Sequence, residues 1–295
     1  MSEKQVLKFG VPKGSLEEAT DALFARAGWK ISKHARNYFP DVNDPELDLS
    51  LTRVQEIGGL VAEGVIDAGI SAKDWMREMD LEDKLVQICD LVYAKTSLRP
   101  SKWVLCVAGD SPYYKPEDLA GKRIASEVQH LTKRYFSERG VDVSVFYSWG
   151  ATEAKVVEGL ADGIVEVTET GTTIRANGLR IIDEVMLSNP VLVCNKAAWE
   201  DPFKRKKLQQ LQMLLEGALR AQSLVALKMN APAAKLAEIM AMLPSLNSPT
   251  VSPLQDAKWF SVETVVATKV VRDLIPRLKE VGAEGIIEYS LNKVI

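Results

Sequence analysis

The sequence predicts an α/β protein built as two lobes, followed by a small ferredoxin-like domain. Three observations carry that expectation. Over the first 220 residues, short β-branched runs alternate with segments of helical periodicity, the order that builds mostly parallel sheets. After residue 225 the order becomes βαββαβ, that of a ferredoxin-like sandwich. With 295 residues, 46% of them hydrophobic, the chain can bury two or three separate cores.

The elements follow from local chemistry. Val6–Val11 reads as the first strand, and Pro12-Lys13-Gly14 turns the chain. Ser15-Leu16-Glu17-Glu18 has the spacing of a capping box opening a helix toward Gly28. Lys13 therefore precedes a helix start, a place suited either to an anion contact or to a solvated lysine. Ile57–Glu63 is helix-like, and Ile66–Ile70 is a short apolar strand interrupted by Asp67, an acid that must be paired or sit at an exposed strand end. Ser71–Asp74 opens a further helix. A second unit starts near Lys102, with strands at Trp103–Ala108, Lys122–Ala125, Val143–Phe146 and Ile164–Val167. Between them lie a short helix at Pro116–Leu119, a helix from Gln129 to Arg139 stopped by Gly140, and a helix at Ala151–Leu160. Ile181–Val185 and Val191–Asn195 return as strands, followed by a long helix from Pro202 toward Ala226. The chain is expected to cross between lobes near residue 98 and to return near 186. This gives residues 1–97 with 186–224 as one lobe, 98–185 as the second, and 225–295 as the last domain. In that domain the strands are Val225–Met229, Thr250–Leu254, Trp259–Thr268 and Gly285–Tyr289, and the helices Ala233–Met242 and Val270–Val281.

Composition excludes several classes. A net charge of −3 does not suit nonspecific nucleic-acid binding, and the run Lys204–Lys207 reads as a solvated helix start. Cys89, Cys106 and Cys194 form no CxxC pair and read as small core residues. His34 and His130 lack the neighbours of a zinc site. The start MSEKQVLKFG enters a strand without a signal-peptide core, and no apolar run reaches membrane-spanning length, so a cytoplasmic protein without membrane association is expected. Trp103, Trp149 and Trp259 read as packing residues.

The most informative stretch is GIVEVTETGTTIRANG, Gly163–Gly178. An apolar strand gives way to Thr168-Glu169-Thr170-Gly171-Thr172-Thr173 and then to a helix-compatible segment. Gly171 permits a tight turn, hydroxyls donate hydrogen bonds, and free helix N–H groups favour an anion. A phosphate grip and an ordinary strand-to-helix turn both fit this composition.

The ordered segments VPKGSL (Val11–Leu16), GVIDAGI (Gly64–Ile70) and GLADGIVEVTETGTTIRANGL (Gly159–Leu179) resemble ATP phosphoribosyltransferase, the first enzyme of histidine biosynthesis. SPTVSPL (Ser248–Leu254) and KEVGAEGII (Lys279–Ile287) extend the resemblance to the long form. It implies a core of two lobes like type II periplasmic binding proteins, plus an ACT-like regulatory domain. The implied reaction joins N1 of the adenine of ATP to C1 of phosphoribosyl pyrophosphate, with Mg²⁺ as cofactor, histidine as feedback inhibitor, and a dimer or hexamer as assembly. By the same resemblance, Glu169, Thr170, Gly171, Thr172 and Thr173 hold the 5′-phosphate, and Glu166 receives the ribose hydroxyls with Asp162 nearby. Lys13, Gly14 and Arg53 meet pyrophosphate or ATP, and Asp67 a substrate hydroxyl or amine. Lys13, Arg53 and Glu166 form the implied catalytic set, with Mg²⁺ carried mainly by substrate phosphates and hydroxyls near Glu166. Asn230, Leu246, Thr250, Val265 and Gly285 are the implied histidine contacts. Three positions depart from the family pattern: Glu166 stands where many relatives carry Asp, Asn230 where some carry Asp, and Ala72 where Gly is usual. A two-lobed metabolite-binding protein or a noncatalytic regulatory paralogue is the alternative reading; the missing export signal and the intact VTETGTT loop weigh against them.

Overall fold

The computed structural model describes residues 5–34, 37–95, 97–244 and 248–295. In chain order the strands are β1 (Leu7–Lys13), β2 (Ile31–Ser32), β3 (Asp41–Val42), β4 (Leu47–Arg53), β5 (Ala68–Ala72), β6 (Val86–Asp90), β7 (Ser101–Ala108) and β8 (Arg123–Ser126). They continue as β9 (Ser144–Tyr147), β10 (Gly163–Thr168), β11 (Leu179–Ser188), β12 (Pro190–Cys194), β13 (Leu224–Pro232), β14 (Thr250–Pro253), β15 (Trp259–Ala267) and β16 (Glu284–Ser290). The α-helices are α1 (Glu17–Ala27), α2 (Val54–Ala62), α3 (Lys73–Glu78), α4 (Gln129–Ser137), α5 (Thr152–Val157), α6 (Thr172–Ala176), α7 (Lys196–Glu200), α8 (Pro202–Ala221), α9 (Leu236–Met242) and α10 (Thr268–Glu280).

The chain divides into two compact units, residues 1–25 with 29–212, and residues 26–28 with 213–295. The first unit contains two five-stranded sheets. One has the order β4-β1-β5-β12-β6, with β1 parallel to both β4 and β5. The other has the order β11-β7-β10-β8-β9, with β8 parallel to both β10 and β9. The chain passes from the first sheet to the second between β6 and β7, and back between β11 and β12.

Burial explains why these strands read as continuous apolar runs. Leu7, Phe9 and Val11 are buried on β1, and all five residues of β5 and of β12 are buried. Helix α2 reaches the sheet closely because β1 and β5 carry glycines beneath it. A Cβ on Gly69 would stand 2.6 Å from Cγ2 of Ile57. Trp103, Leu105, Val107, Leu131 and Phe136 form part of the core of the second sheet on one face, and Val104, Cys106, Ile164 and Ile174 part of the core on the other. Burial pushes the Cys106 and Cys194 thiols up to about 12, in keeping with core cysteines.

Several elements differ from the sequence expectation. β4 and β6 were not anticipated, although Leu47, Leu49 and Leu51 alternate with polar residues along β4 in the manner of a half-buried edge strand. β11 is one ten-residue strand with two register shifts, longer than Ile181–Val185. α8 ends at Ala221, short of Ala226, because β13 starts at Leu224. The helix-start box is also shifted by one residue. Gly14 N–H donates to the Glu17 carboxylate at 3.0 Å, in place of a Ser15–Glu18 pair.

The second unit carries the antiparallel sheet β14-β15-β13-β16, in the chain order βαββαβ. Leu227, Met229, Val262 and Val266 pack with Ile239, Leu274 and Leu278 from α9 and α10 to form its core.

Candidate active site

In open sheets with parallel strands, ligands bind beyond the carboxyl ends of the strands, where the connections leave polar backbone unpaired. In the first unit those ends border a cleft of about 530 Å³. Ser15, Gln55 and Asp74 line it from the first sheet, and Trp103, Glu127 and the Val167–Thr170 turn from the second.

The turn after β10 is held internally. Gly171 adopts φ +72°, and its N–H donates to Thr168 Oγ1 at 2.8 Å. The Thr170 and Thr172 hydroxyls lie 2.8 Å apart, and Arg175 Nη2 donates to the Thr170 carbonyl at 2.9 Å. Glu169, Thr170, Thr172 and Thr173 border the cleft. Glu169 accepts a hydrogen bond from Ser97 Oγ at 3.0 Å.

Two cations, Lys13 and Arg53, end the strands that lead into the opposite wall, which Ser15 and Gln55 line. Lys13 and Arg53 are register partners at the ends of adjacent parallel strands, about 4.8 Å apart in strand spacing. The Lys13 ammonium lies 4.2 Å from the Tyr38 ring, and the Arg53 guanidinium 5.4 Å from the ring of Trp149. Trp149 is 60% exposed, so the expectation that it packs in a core is corrected. Gly14, at φ +98°, follows Lys13. Trp103, by contrast, is buried, and its indole N–H donates to Asp74 at 2.6 Å.

Glu166 projects from β10 toward the first residue of α5. Its carboxylate accepts from the Thr152 hydroxyl and from its neighbour's N–H, that of Val167, at 3.1 Å. Ser148 Oγ donates to Thr152 Oγ1 at 3.2 Å, so the group is held from below. Burial pushes its carboxyl above the usual range, and the charges of Glu153 and Glu127 push the same way.

Two acids read from the sequence are not brought to the cleft. Asp67 precedes β5 at its amino end. Its carboxylate accepts from Lys8 N–H at 2.9 Å and from the Lys204 ammonium at 2.7 Å. Asp162 precedes β10 in the same way, accepting from Arg123 N–H at 2.9 Å. In each case the acid's own N–H donates to the carbonyl of that same neighbour, Lys8 or Arg123. The physical reason is strand direction: at about 3.3 Å per residue, six residues of β10 separate Asp162 from the anion turn by about 20 Å.

Glu127 and Asp74 were missed. Both follow the end of a parallel strand, the signal that would have found them. Burial pushes both carboxyls upward. Asp74 sits 6% exposed against Trp103 and Trp75 N–H, and Glu127 meets the Gln55 amide at 3.4 Å.

In the second unit, Gly285 (φ +56°) lies beside Asn230: a Cβ there would be 3.6 Å from Asn230 Nδ2. Val265 pairs with Ala226, four residues along β13 from Asn230, or about 13 Å away. Thr250 pairs with Glu263 on the edge strand. Within this unit the four do not form one pocket, and Leu246 lies outside the described residues.

Fold and site together define a two-lobed, periplasmic-binding-protein-like α/β core with a cleft bordered by a threonine-rich turn, followed by an antiparallel ferredoxin-like domain. Residues 53–217 match the family HisG: ATP phosphoribosyltransferase, and residues 221–293 match HisG, C-terminal domain. The ATP phosphoribosyltransferase of Nitratidesulfovibrio vulgaris (strain Hildenborough) is 64% identical over 295 residues, covering 100% of both chains. That of Solidesulfovibrio magneticus is 59% identical over the same length, again covering 100% of both. Among solved structures, a chain of the ATP phosphoribosyl transferase (HisG:HisZ) complex from Thermotoga maritima is 24% identical with a TM-score of 0.63, covering 74% of this chain and 100% of that one. The chain belongs to the ATP phosphoribosyltransferase family, in the long form that carries the C-terminal regulatory domain, and acts at the first step of histidine biosynthesis. Among the described residues no helix is long and apolar enough to cross a membrane.

Proposed function

We propose that this cleft transfers the phosphoribosyl group of phosphoribosyl pyrophosphate to N1 of the adenine of ATP. The observation that carries the assignment is the Thr168–Thr173 turn on one wall of a cleft whose other wall includes Ser15 and Gln55, each two residues beyond a strand end that carries a cation, Lys13 or Arg53. The turn supplies hydroxyls and a glycine-shaped backbone for the 5′-phosphate, with Thr170, Gly171, Thr172 and Thr173 as its grip. Glu166, fixed by Thr152, takes the ribose hydroxyls. Lys13 and Arg53 take the pyrophosphate, and the Gly14 turn gives ATP phosphates room to approach.

Displacement at an anomeric carbon spreads positive charge over the ribose and leaves negative charge on the departing pyrophosphate. Fixed cations aimed at that charge, and a nucleophile held in line, lower the barrier without a covalent intermediate. The donor set fits a magnesium ion that arrives with substrate: among the described residues no three His, Cys, Asp or Glu side chains converge as a cage, and magnesium favours phosphates and water with few carboxylates. Glu166 would reach it through the ribose hydroxyls. When bound, the ion adds charge neutralisation at the leaving group.

The second unit supports regulation by histidine, with Asn230 and Gly285 as the paired contacts and Thr250 and Val265 elsewhere on the sheet. The protein works as a homo-oligomer, dimer to hexamer. The test is direct: protein, ATP, phosphoribosyl pyrophosphate and Mg²⁺, with pyrophosphatase to draw the equilibrium forward. Absence of phosphoribosyl-ATP would sink the assignment.

A further inference from the structure

The carboxyl ends of three neighbouring strands of the second sheet carry different groups. β10 ends in the phosphate turn, β8 ends next to Glu127, and β9 leads to Trp149. Glu127 lines the same cleft as Thr168–Thr173. It directly follows the strand next to the one that carries Glu166, and the two strands lie about 4.8 Å apart, with Val165 and Ser126 in register. A base that reaches the anomeric carbon of a ribose seated at β10 must therefore pass in front of it.

The other acids near this point are committed. Asp74 is buried against the Trp103 indole N–H, Glu169 accepts from Ser97, and Glu166 accepts from Thr152 and Val167 N–H. Among the described residues the Glu127 carboxylate meets one hydrogen-bond donor, the Gln55 amide at 3.4 Å, a long contact that leaves acceptor capacity. The charged groups around it are Asp74 and Glu166, both acids, and Arg53 across the cleft.

The chemistry calls for an acceptor at this place. In adenine, N6 hangs from the carbon next to N1, so presenting N1 to the ribose presents an N6–H beside it. As N1 gains a bond the ring becomes cationic and the N6–H more acidic. We propose that Glu127 is the proton acceptor for the adenine of the nucleotide substrate. Its carboxylate accepts the N6–H as N1 approaches. The N1 lone pair forms the bond to C1′, and the C1′–O electron pair leaves with pyrophosphate. One N6 proton passes to Glu127, which leaves the base as the neutral imine; the carboxyl returns the proton to water after product leaves. Burial first, and then the Asp74 charge, push the Glu127 carboxyl above the usual range, which suits a base working nearer neutrality.

This inference rests on the phosphoribosyl-transfer reading of the cleft, and the experiment separates the two. The full chain is assayed with ATP, phosphoribosyl pyrophosphate, Mg²⁺ and pyrophosphatase across pH, with phosphoribosyl pyrophosphate binding and thermal unfolding measured in parallel. Glu127→Gln, which keeps shape and folding, should lower kcat about 100-fold or more, flatten the acid limb of its pH profile, and leave phosphoribosyl pyrophosphate affinity within about twofold. Glu127→Ala should recover part of its rate when formate is added, and the wild type should not respond. A Glu127→Gln enzyme within about threefold of wild-type kcat, with the same acid limb, overturns the proposal. So does a folded Glu127→Ala enzyme that binds phosphoribosyl pyrophosphate normally, is slow, and ignores formate. Failure of the wild type to make phosphoribosyl-ATP would instead overturn the reading of the cleft.

Discussion

Replacing Gly171 by alanine tests the anion turn with an internal control. Gly171 and Gly178 have nearly the same backbone, φ +72° and +73°. An L-residue in this left-handed region costs about 1–2 kcal/mol, so both alanine variants should lose that much folding stability. Their surroundings differ. A Cβ at Gly178 meets nothing within 4 Å, whereas one at Gly171 would stand 2.8 Å from Arg175 Nη1. Arg175 can swing away, but in doing so it releases the Thr170 carbonyl, a bond worth about 1 kcal/mol net. Gly171→Ala should therefore cost roughly 2–3 kcal/mol, against about 1–2 for Gly178→Ala. The excess falls on the turn itself, where about 1 kcal/mol corresponds to a roughly fivefold loss of affinity. Urea denaturation of both variants and calorimetric titration with phosphoribosyl pyrophosphate check this. Equal losses of affinity in both, or an unchanged Kd for Gly171→Ala, would refute the reasoning.

Three further outcomes are expected. The buried Asp74 carboxyl has its folded-state pKa raised, so its charged form opposes folding: the penalty is absent well below about pH 4 and grows as pH rises through the unfolded and then the folded value. The stability of Asp74→Asn relative to wild type should therefore increase between pH 4 and 8 in denaturation curves, and a flat difference would contradict the assignment. Asp67→Ala should lower stability by about 1–3 kcal/mol by leaving Lys8 N–H and Lys204 without their acceptor, while KM for ATP stays within about twofold in steady-state assays. Trp149→Ala should remove the exposed Arg53 contact, worth about 0.5–1 kcal/mol, and raise KM two- to fivefold, with Trp149→Phe intermediate.

Much of the fold was legible because period-2 and period-3.6 patterns survive in single segments. The ferredoxin-like order of the last domain came from strand and helix runs alone. The strand–turn–helix geometry at Thr168–Thr173 was legible for a related reason: its strand, hydroxyls, glycine and helix start are contiguous. The remainder of the cleft is not contiguous. Asp67 and Asp162 lie within family motifs in sequence, but an acid before a parallel strand lies at the far end from the turn after it. Glu127 and Asp74 enter the cleft just beyond the ends of separate strands, and no local pattern links them. β4 was legible in its alternating leucines and was missed; as an edge strand it lacks the continuous apolar run that marked its neighbours.

The two aspartates that stand away from the cleft give the lobes a common construction. Each closes both backbone groups of one residue on the neighbouring strand, Lys8 in one sheet and Arg123 in the other. Strand alignment is thus set at the rear of each sheet, independently of whatever occupies the front. Turns at the carboxyl ends can then be lengthened, shortened or exchanged without the sheets losing register. A scaffold fastened in this way is a sound starting point for redesigning substrate preference, because its mutable surface and its fastenings are different residues.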